Sequence, residues 1–192
     1  MDIVHSLVEY STQLIASGGI FFGFLLVLLE SAIPALPLGV FVALNVNAFG
    51  FFGGLGISWL ATCIGCFLSY LLFSYLSSQV LYRFLSTKVV AKIERATEKF
   101  RKISFPNLVL LIALPFTPAF LVNIICGVAA VSKKKFLVAI MIGKVFMLIF
   151  WGYISKSLIE SVTDINTIII VSLMLVVAYF LSKFVSKKAN IE

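Results

Sequence analysis

The sequence predicts an all-α polytopic membrane protein, and three observations predict this class. First, 61% of the 192 residues are hydrophobic, 12% are charged and the mean hydropathy is +1.14, whereas soluble domains carry about 25% charged residues. Second, residues 31–82 contain no Asp, Glu, Lys or Arg, although one transmembrane helix needs only about 20 residues. Third, a Pro-x-x-Pro break inside an apolar segment occurs twice. We therefore expect a single membrane domain over 1–192.

The N-terminal part is expected to contain three elements. Residues 2–16 place apolar side chains at helical spacing, which indicates an amphipathic helix at the membrane interface; because this start lacks a basic region, we expect no secretory signal there. Residues 19–52 form an apolar segment broken at Pro34 and Pro37. Residues 55–82 are long enough to span the bilayer. Small residues four apart in this span permit close helix contact: Ala61, Gly65 and Ser69.

The following part repeats this order. Residues 83–102 hold seven basic and two acidic residues beside an apolar stripe, which predicts an amphipathic helix on the anionic cytoplasmic leaflet. A nucleic-acid-binding arm is the alternative interpretation of 83–102. Such an arm would not require an apolar stripe, so we expect no nucleic-acid partner. Residues 103–132 are broken by prolines, and 136–155 form a spanning helix. A polar loop and a last span, about 165–182, complete the chain.

The basic residues predict the topology. Thirteen of the fifteen lie in 83–102, 133–135 and the tail after residue 182, so the positive-inside rule places these clusters and the C-terminus in the cytoplasm. The segment 103–132 must then leave and return on one side, but two crossings need about 40 residues. It is therefore expected to be a re-entrant hairpin that turns at Pro115 and Pro118. We expect a multi-pass membrane protein with a cytoplasmic C-terminus.

The two parts align as an internal repeat. A shift of 81 positions places Pro34 on Pro115 and Pro37 on Pro118. With one three-residue gap, four more identical pairs align: Asn45 with Asn123, Gly65 with Gly143, Tyr75 with Tyr153 and Ser77 with Ser155. An odd number of crossings between the hairpins inverts the second copy. The expected fold is two inverted repeats, about 2–82 and 83–155, each an amphipathic helix, a re-entrant hairpin and a spanning helix, followed by the C-terminal helix. Such repeats predict a transport site at the membrane midplane.

Helices restarted by proline inside the membrane expose unpaired N–H groups, which suit a phosphate or a carboxylate; the alternative is that the prolines only kink spanning helices. The predicted substrate-binding residues are Glu30, Pro34, Pro37, Asn45, Pro115, Pro118, Asn123 and Lys144.

Intramembrane carboxylates are functional by default, so Glu30 is expected to accept a proton or cation, unless it rests at the outer headgroups. Lys144 either snorkels to the cytoplasmic side or pairs with Glu30 or a substrate phosphate. The two asparagines either offer amides to a headgroup or cap broken helices.

Soluble-enzyme signatures (HExxH, the P-loop and GxSxG) do not occur in the sequence, and His5 is the single histidine. Cys63 and Cys66 have the spacing of a redox or metal pair, but no further His or Cys completes a site, so they are interpreted as packing residues. We expect no catalytic residues, metal or cofactor. Membrane lipids are the expected partners, with anionic lipid at 83–102; homo-oligomerisation is left open.

Two motifs resemble the DedA superfamily, in its SNARE-associated (VTT-domain) branch, over roughly residues 10–160. They are Glu30-x-x-x-Pro34-x-x-Pro37 with Phe49-Gly50-x-x-Gly53, and Pro115-x-x-Pro118-x-x-x-x-Asn123-x-x-x-Gly127 with Phe136 and Gly143. The resemblance implies facing re-entrant hairpins and lipid translocation, either return of undecaprenyl phosphate or phospholipid scrambling, with Glu30 as the hairpin glutamate.

The sequence departs from the family at two positions. Where members commonly place an arginine, three residues before the first proline of the second hairpin, this chain has Ile112, and no second acidic residue follows Glu30 in the first hairpin. Lys144 is a candidate to replace the missing cation. The function that we expect is a lipid transporter or scramblase for phosphate-bearing lipids. The alternatives are a proton- or cation-coupled small-solute transporter and a membrane scaffold.

Overall fold

The computed structural model describes residues 18–31, 38–76, 97–160 and 165–189. The regular secondary structure in these ranges is helical, without a strand, which confirms the all-α prediction for this part of the chain. Four predicted features lie outside these ranges: the amphipathic helix 2–16, Pro34, Pro37 and residues 83–96.

Within the described ranges, six helices of nine or more residues follow one another: α1 (Gly18–Ser31), α2 (Leu38–Tyr75), α3 (Phe105–Ala113), α4 (Ala119–Val128), α5 (Lys133–Glu160) and α6 (Ile165–Ala189). By length and composition, α2 and the Lys133–Ile154 part of α5 can cross a membrane. Helices α3 and α4 are much shorter, with 9 and 10 residues.

Helix α2 is bent at Gly50, earlier than the boundary near 52–55 that the sequence predicts. Gly50 has φ 74° and ψ 168°, a backbone conformation that glycine adopts without steric cost. The two arms, 38–49 and 51–75, then lie against each other. A Cβ at Gly54 would lie 2.4 Å from the Asn45 carbonyl oxygen, so this close approach of the arms requires glycine at residue 54.

The local sequence explains two further differences between the predicted and the observed helix bounds. Helix α5 begins at Lys133 rather than at 136, because the Ser132 hydroxyl accepts a hydrogen bond from the Lys135 backbone N–H at 3.4 Å and caps the first turn. Helix α6 runs to Ala189 rather than to 182, because no glycine or proline follows that could end it.

The long arm of α2 packs antiparallel to α5. At one end, the Lys133 ammonium donates a hydrogen bond to the Tyr75 hydroxyl at 3.1 Å. At the other end, a Cβ on Gly152 would lie 2.7 Å from the Leu55 side chain. This pair forms the centre of the described structure, and each end of it carries one hydrophobic core.

Each core contains one of the proline-broken segments. The first core joins α3 and α4 to the Tyr75 end of the pair and includes Tyr70, Leu108, Ile124 and Phe136. The second joins α1 and the short arm of α2 to the opposite end and includes Val27, Val42, Ala61 and Leu148. The described helices of the two proline-broken segments therefore pack at opposite ends of the long helices.

The same close contact occurs in both halves. A Cβ on Gly65 would lie 2.9 Å from the Leu28 carbonyl oxygen, and a Cβ on Gly143 would lie 3.0 Å from the Val109 carbonyl oxygen. Leu28 and Val109 are related by the shift of 81 positions that aligns the proline pairs. Each long helix therefore uses a glycine to approach the backbone of the first short helix of its own half.

Candidate functional site

Three buried polar side chains line one small cavity between α3, α4 and α5. Lys144 and Asn123 are each 2% exposed, and Thr117 is 6% exposed. The cavity measures about 10 Å³, about the space of one water molecule. Its remaining walls are largely apolar and include Ile112 and Met147. An ammonium, an amide and a hydroxyl are thus brought together in surroundings of low polarity.

Lys144 reaches this cavity from the middle of α5. Its ammonium donates to the Met147 sulfur at 3.4 Å, and a thioether is a weak acceptor for a group with three N–H donors. Met147 lies further from the 133–135 cluster along the helix, so the Lys144 side chain does not extend toward that cluster. With 2% exposure, the side chain is buried in the protein, and the snorkelling alternative does not describe it.

Thr117 and Asn123 are positioned by the second proline break. Residues 114–118 form the turn between α3 and α4, and Pro118 is the N-cap residue of α4 without a side-chain capping bond. Within the described residues, the Thr117 Oγ1 and Asn123 Nδ2 atoms have no hydrogen-bond partner. A buried polar atom without a partner costs about 1–3 kcal/mol, so these two atoms are available to a ligand.

Thr117 is the residue that the sequence reasoning missed. It lies between Pro115 and Pro118, so its position inside the break was the available signal. The hydroxyl of a threonine in an apolar segment, however, is usually satisfied by its own helix. In the turn at 114–118 the Thr117 hydroxyl has no hydrogen-bond partner among the described residues, and Thr117 lines the cavity.

Glu30 lies at the end of α1 and is partly buried. The Lys144 ammonium acts on the Glu30 carboxyl by electrostatic attraction, but Glu30 is not among the residues that line the small cavity. The neighbouring Ser31 hydroxyl contacts the Val27 carbonyl oxygen and the Thr62 hydroxyl, each at 3.0 Å. These contacts fix the end of α1 against the long arm of α2.

Asn45 holds the first half together. Its amide nitrogen donates to the Gly23 carbonyl oxygen at 3.2 Å and to the Ser58 hydroxyl at 3.0 Å. It therefore links α1 to both arms of α2, and it does not cap a helix. Its Oδ1 atom is buried without a partner in the described residues, and a substrate-binding role for it stays a prediction.

The cysteines occupy packing positions. Cys63, Cys66 and Cys126 are free and buried. The Cys63 thiol contacts the Ile140 carbonyl oxygen of α5 at 3.9 Å, so it lies at the interface of the two long helices. In the part of the chain that the structure describes, no group of three or more His, Cys, Asp or Glu residues could hold a metal ion.

Comparison with known proteins gives one family and two relatives. The model of the VTT domain family matches residues 36–157. The chain is 33% identical to the "Uncharacterized membrane protein YhjE" of Bacillus subtilis (strain 168) over 172 residues, 88% of this chain and 80% of the relative. It is 29% identical to the "Uncharacterized protein YqeD" of the same organism over 137 residues, 68% of this chain and 64% of that relative. No solved structure shows a significant match.

Proposed function

The chain belongs to the VTT-domain (DedA) family of membrane proteins, and from this premise we propose that it moves phosphate-bearing lipids between the two leaflets of the bacterial cytoplasmic membrane. The substrates would be phospholipids or undecaprenyl phosphate. The role of the protein is to carry the headgroup past the hydrocarbon region; its chemistry is binding and release, without a catalytic residue.

The observation that carries this proposal is the buried cluster of Lys144, Thr117 and Asn123. A buried ammonium is costly unless an anion or several good acceptors stabilise it. The Met147 thioether is a weak acceptor, so a bound phosphate would add charged acceptors to the attraction that Glu30 provides. A lipid phosphate offers two or three non-bridging oxygen acceptors and negative charge, which match an ammonium, an amide and a hydroxyl. At about 10 Å³ the cavity is too small for a phosphate, so α3 and α4 must separate from α5 when the headgroup binds.

The packing supports two re-entrant segments. Helices α3 and α4 have 9 and 10 residues, or about 14–15 Å at 1.5 Å per residue, about half of the 30 Å hydrocarbon core. The Lys135 ammonium donates to the Ile103 carbonyl oxygen, so the beginning and end of 103–132 lie near each other. The second proline-broken segment packs at the opposite end of the α2–α5 pair from the first. An inverted pair of hairpins would have this arrangement.

The basic residues support the proposed sidedness. Lys133 and Lys135 of the second cluster contact Tyr75 and Ile103. Val185, beside the basic tail, lines a groove with Lys102 of the first cluster. The described parts of the three clusters therefore lie at one end of the described structure, as expected for a cytoplasmic end that includes the C-terminus.

The electrostatic attraction between Glu30 and Lys144 supports a second candidate function, a proton- or cation-coupled transporter of small anionic solutes. In this case Glu30 would neutralise Lys144 in the empty site and release it when a proton or cation binds the carboxylate. The substrate would be a soluble anion rather than a lipid headgroup.

Reconstitution into liposomes with fluorescently labelled phospholipids tests the main proposal. We expect faster exchange between leaflets than in protein-free vesicles, and a loss of about tenfold or more in Lys144→Gln, since the binding energy of one buried charged hydrogen bond exceeds about 1.4 kcal/mol. The matched control is Lys134→Gln, an exposed lysine of the same helix, which should exchange lipid at the unmodified rate. Exchange no faster than in protein-free vesicles would refute lipid transport. Uptake of a labelled organic anion without lipid exchange would favour the second candidate.

A further inference from the structure

A second cavity, separate from the buried cluster, opens where α3 begins. It measures about 440 Å³, within the range of small-molecule sites. Its floor is formed by the buried side chains of Phe100 and Leu111. Leu111 also lines the small cavity that contains Lys144, so the two cavities share this side chain. We name the larger cavity the α3 groove.

The α3 groove is polar at one end and apolar at the other. Its polar end has the exposed residues Lys99, Lys102, Ser104 and Asn107. Its apolar end has Leu110, which is 50% exposed, and Phe184 of α6, which is 69% exposed. Leu110 lies about 9 Å further along the helix than Ser104 at 1.5 Å per residue. The groove therefore runs from the basic end of the protein along an exposed apolar surface.

We propose that the α3 groove binds one anionic phospholipid of the leaflet at the basic end, with its phosphate at Lys99 and Lys102 and an acyl chain against Leu110 and Phe184. Among the described residues, those that line the groove include no acidic side chain, so its charge complements an anionic headgroup. The apolar end suits a hydrocarbon chain, whereas it would not contribute to the binding of a soluble anion or a nucleic acid. The site does not depend on the proposed transport activity.

The apolar surface of α6 continues the groove. Beside Phe184, exposed apolar side chains follow the helix toward its N-terminal end: Leu173, Val176, Val177, Phe180 and Leu181. An acyl chain that leaves the groove can therefore remain in contact with apolar protein surface. This continuity distinguishes a lipid from a short amphiphile that would fill only the groove itself.

The test measures lipid immobilised by the full chain in nanodiscs, using spin-labelled phosphatidylglycerol and, as the zwitterionic probe, spin-labelled phosphatidylcholine. We expect one tightly bound phosphatidylglycerol per chain, with an affinity at least about tenfold above that for phosphatidylcholine, since each lysine near a membrane surface contributes about 1 kcal/mol to attraction of anionic lipid. Equal affinity for the two probes would overturn the proposal.

Three variants separate a defined site from general surface charge. Lys99→Gln/Lys102→Gln should lose the tenfold preference for phosphatidylglycerol. Arg101→Gln/Lys134→Gln removes the same charge from exposed residues that do not line the groove, and it should keep the preference. Leu110→Trp fills the groove without changing charge and should also release the bound lipid.

Equal losses in both charge variants, with no effect of Leu110→Trp, would show diffuse attraction and overturn the proposal. So would displacement of the lipid by millimolar inorganic phosphate, because the acyl contacts would then contribute nothing. Circular dichroism and the elution volume in size-exclusion chromatography verify the fold of each variant before binding is measured.

Discussion

Ile112 of α3 and Lys144 of α5 line the same buried cavity. Gly143, beside Lys144, approaches Ile112 so closely that a Cβ there would lie 2.8 Å from the isoleucine Cγ2 atom. Ile112 is the position at which the DedA resemblance leads us to expect an arginine. The cation of this protein therefore enters the same cavity from the neighbouring helix.

This relationship predicts that the cation can be exchanged between the two helices. Lys144→Leu should lower lipid exchange by about tenfold or more. The double variant Ile112→Arg/Lys144→Leu should recover much of the lost rate, because the guanidinium enters the space that the lysine leaves. Exchange is measured in liposomes. A folded double variant no more active than Lys144→Leu would contradict the idea that the two positions serve one cavity.

Thr117→Val should separate function from stability. The Thr117 hydroxyl is buried without a partner in the described residues, and replacing an unsatisfied group by an apolar one of similar shape is neutral or stabilising. We expect an unchanged or higher midpoint of thermal unfolding in detergent, together with slower lipid exchange. A lower midpoint would indicate that the hydroxyl has a structural partner, and an unchanged exchange rate would remove Thr117 from the site.

Asn45 and Ser58 should be coupled in stability, since the amide nitrogen donates to the serine hydroxyl at 3.0 Å. A double-mutant cycle with Asn45→Ala and Ser58→Ala should give a coupling energy of about 0.5–1.5 kcal/mol, the net value of one hydrogen bond. The free energy of unfolding is measured by denaturant titration in mixed micelles. Purely additive losses would show that the bond contributes nothing to folding.

The glycine contacts in the two halves predict matched losses of stability. Gly65→Ala and Gly143→Ala should each be destabilising, because the new Cβ would lie within 2.6 Å of Ser31 and within 2.8 Å of Ile112, respectively. Gly56→Ala is the control, since nothing lies within 4 Å of its added Cβ. It should be neutral or stabilising, because alanine favours a helix over glycine by up to about 1 kcal/mol. Thermal unfolding of the three variants distinguishes these outcomes.

Glu30→Gln distinguishes passive from coupled transport. Removing the carboxylate leaves Lys144 without its electrostatic partner, so an imposed pH gradient should no longer change the rate. Passive lipid exchange should persist, because glutamine keeps the size of the side chain. Parallel assays with and without a gradient provide the measurement. If both rates equal those of the unmodified protein, Glu30 is not a residue of the site.

Part of the site could be predicted from the sequence, because prolines and charges in apolar segments are visible without a structure. Asn123 and Lys144 were predicted, and the structure places them in one cavity. Asn45 was predicted beside them, but the structure uses its amide to connect α1 with α2. The two asparagines align in the repeat, yet their surroundings differ, and sequence alignment carries no information on which neighbours a buried amide meets.

The membrane class, the helical content and the order of breaks and long helices were determined by the sequence alone. These properties depend on composition and on the local backbone chemistry of proline, so a single segment is enough to specify them. Tertiary structure alone decided that α2 turns back at Gly50, that Thr117 loses its local acceptor, and that Lys144 is buried with Met147 as its acceptor. Burial and hydrogen-bond partners arise when distant helices pack, and for this reason they appear only in the folded chain.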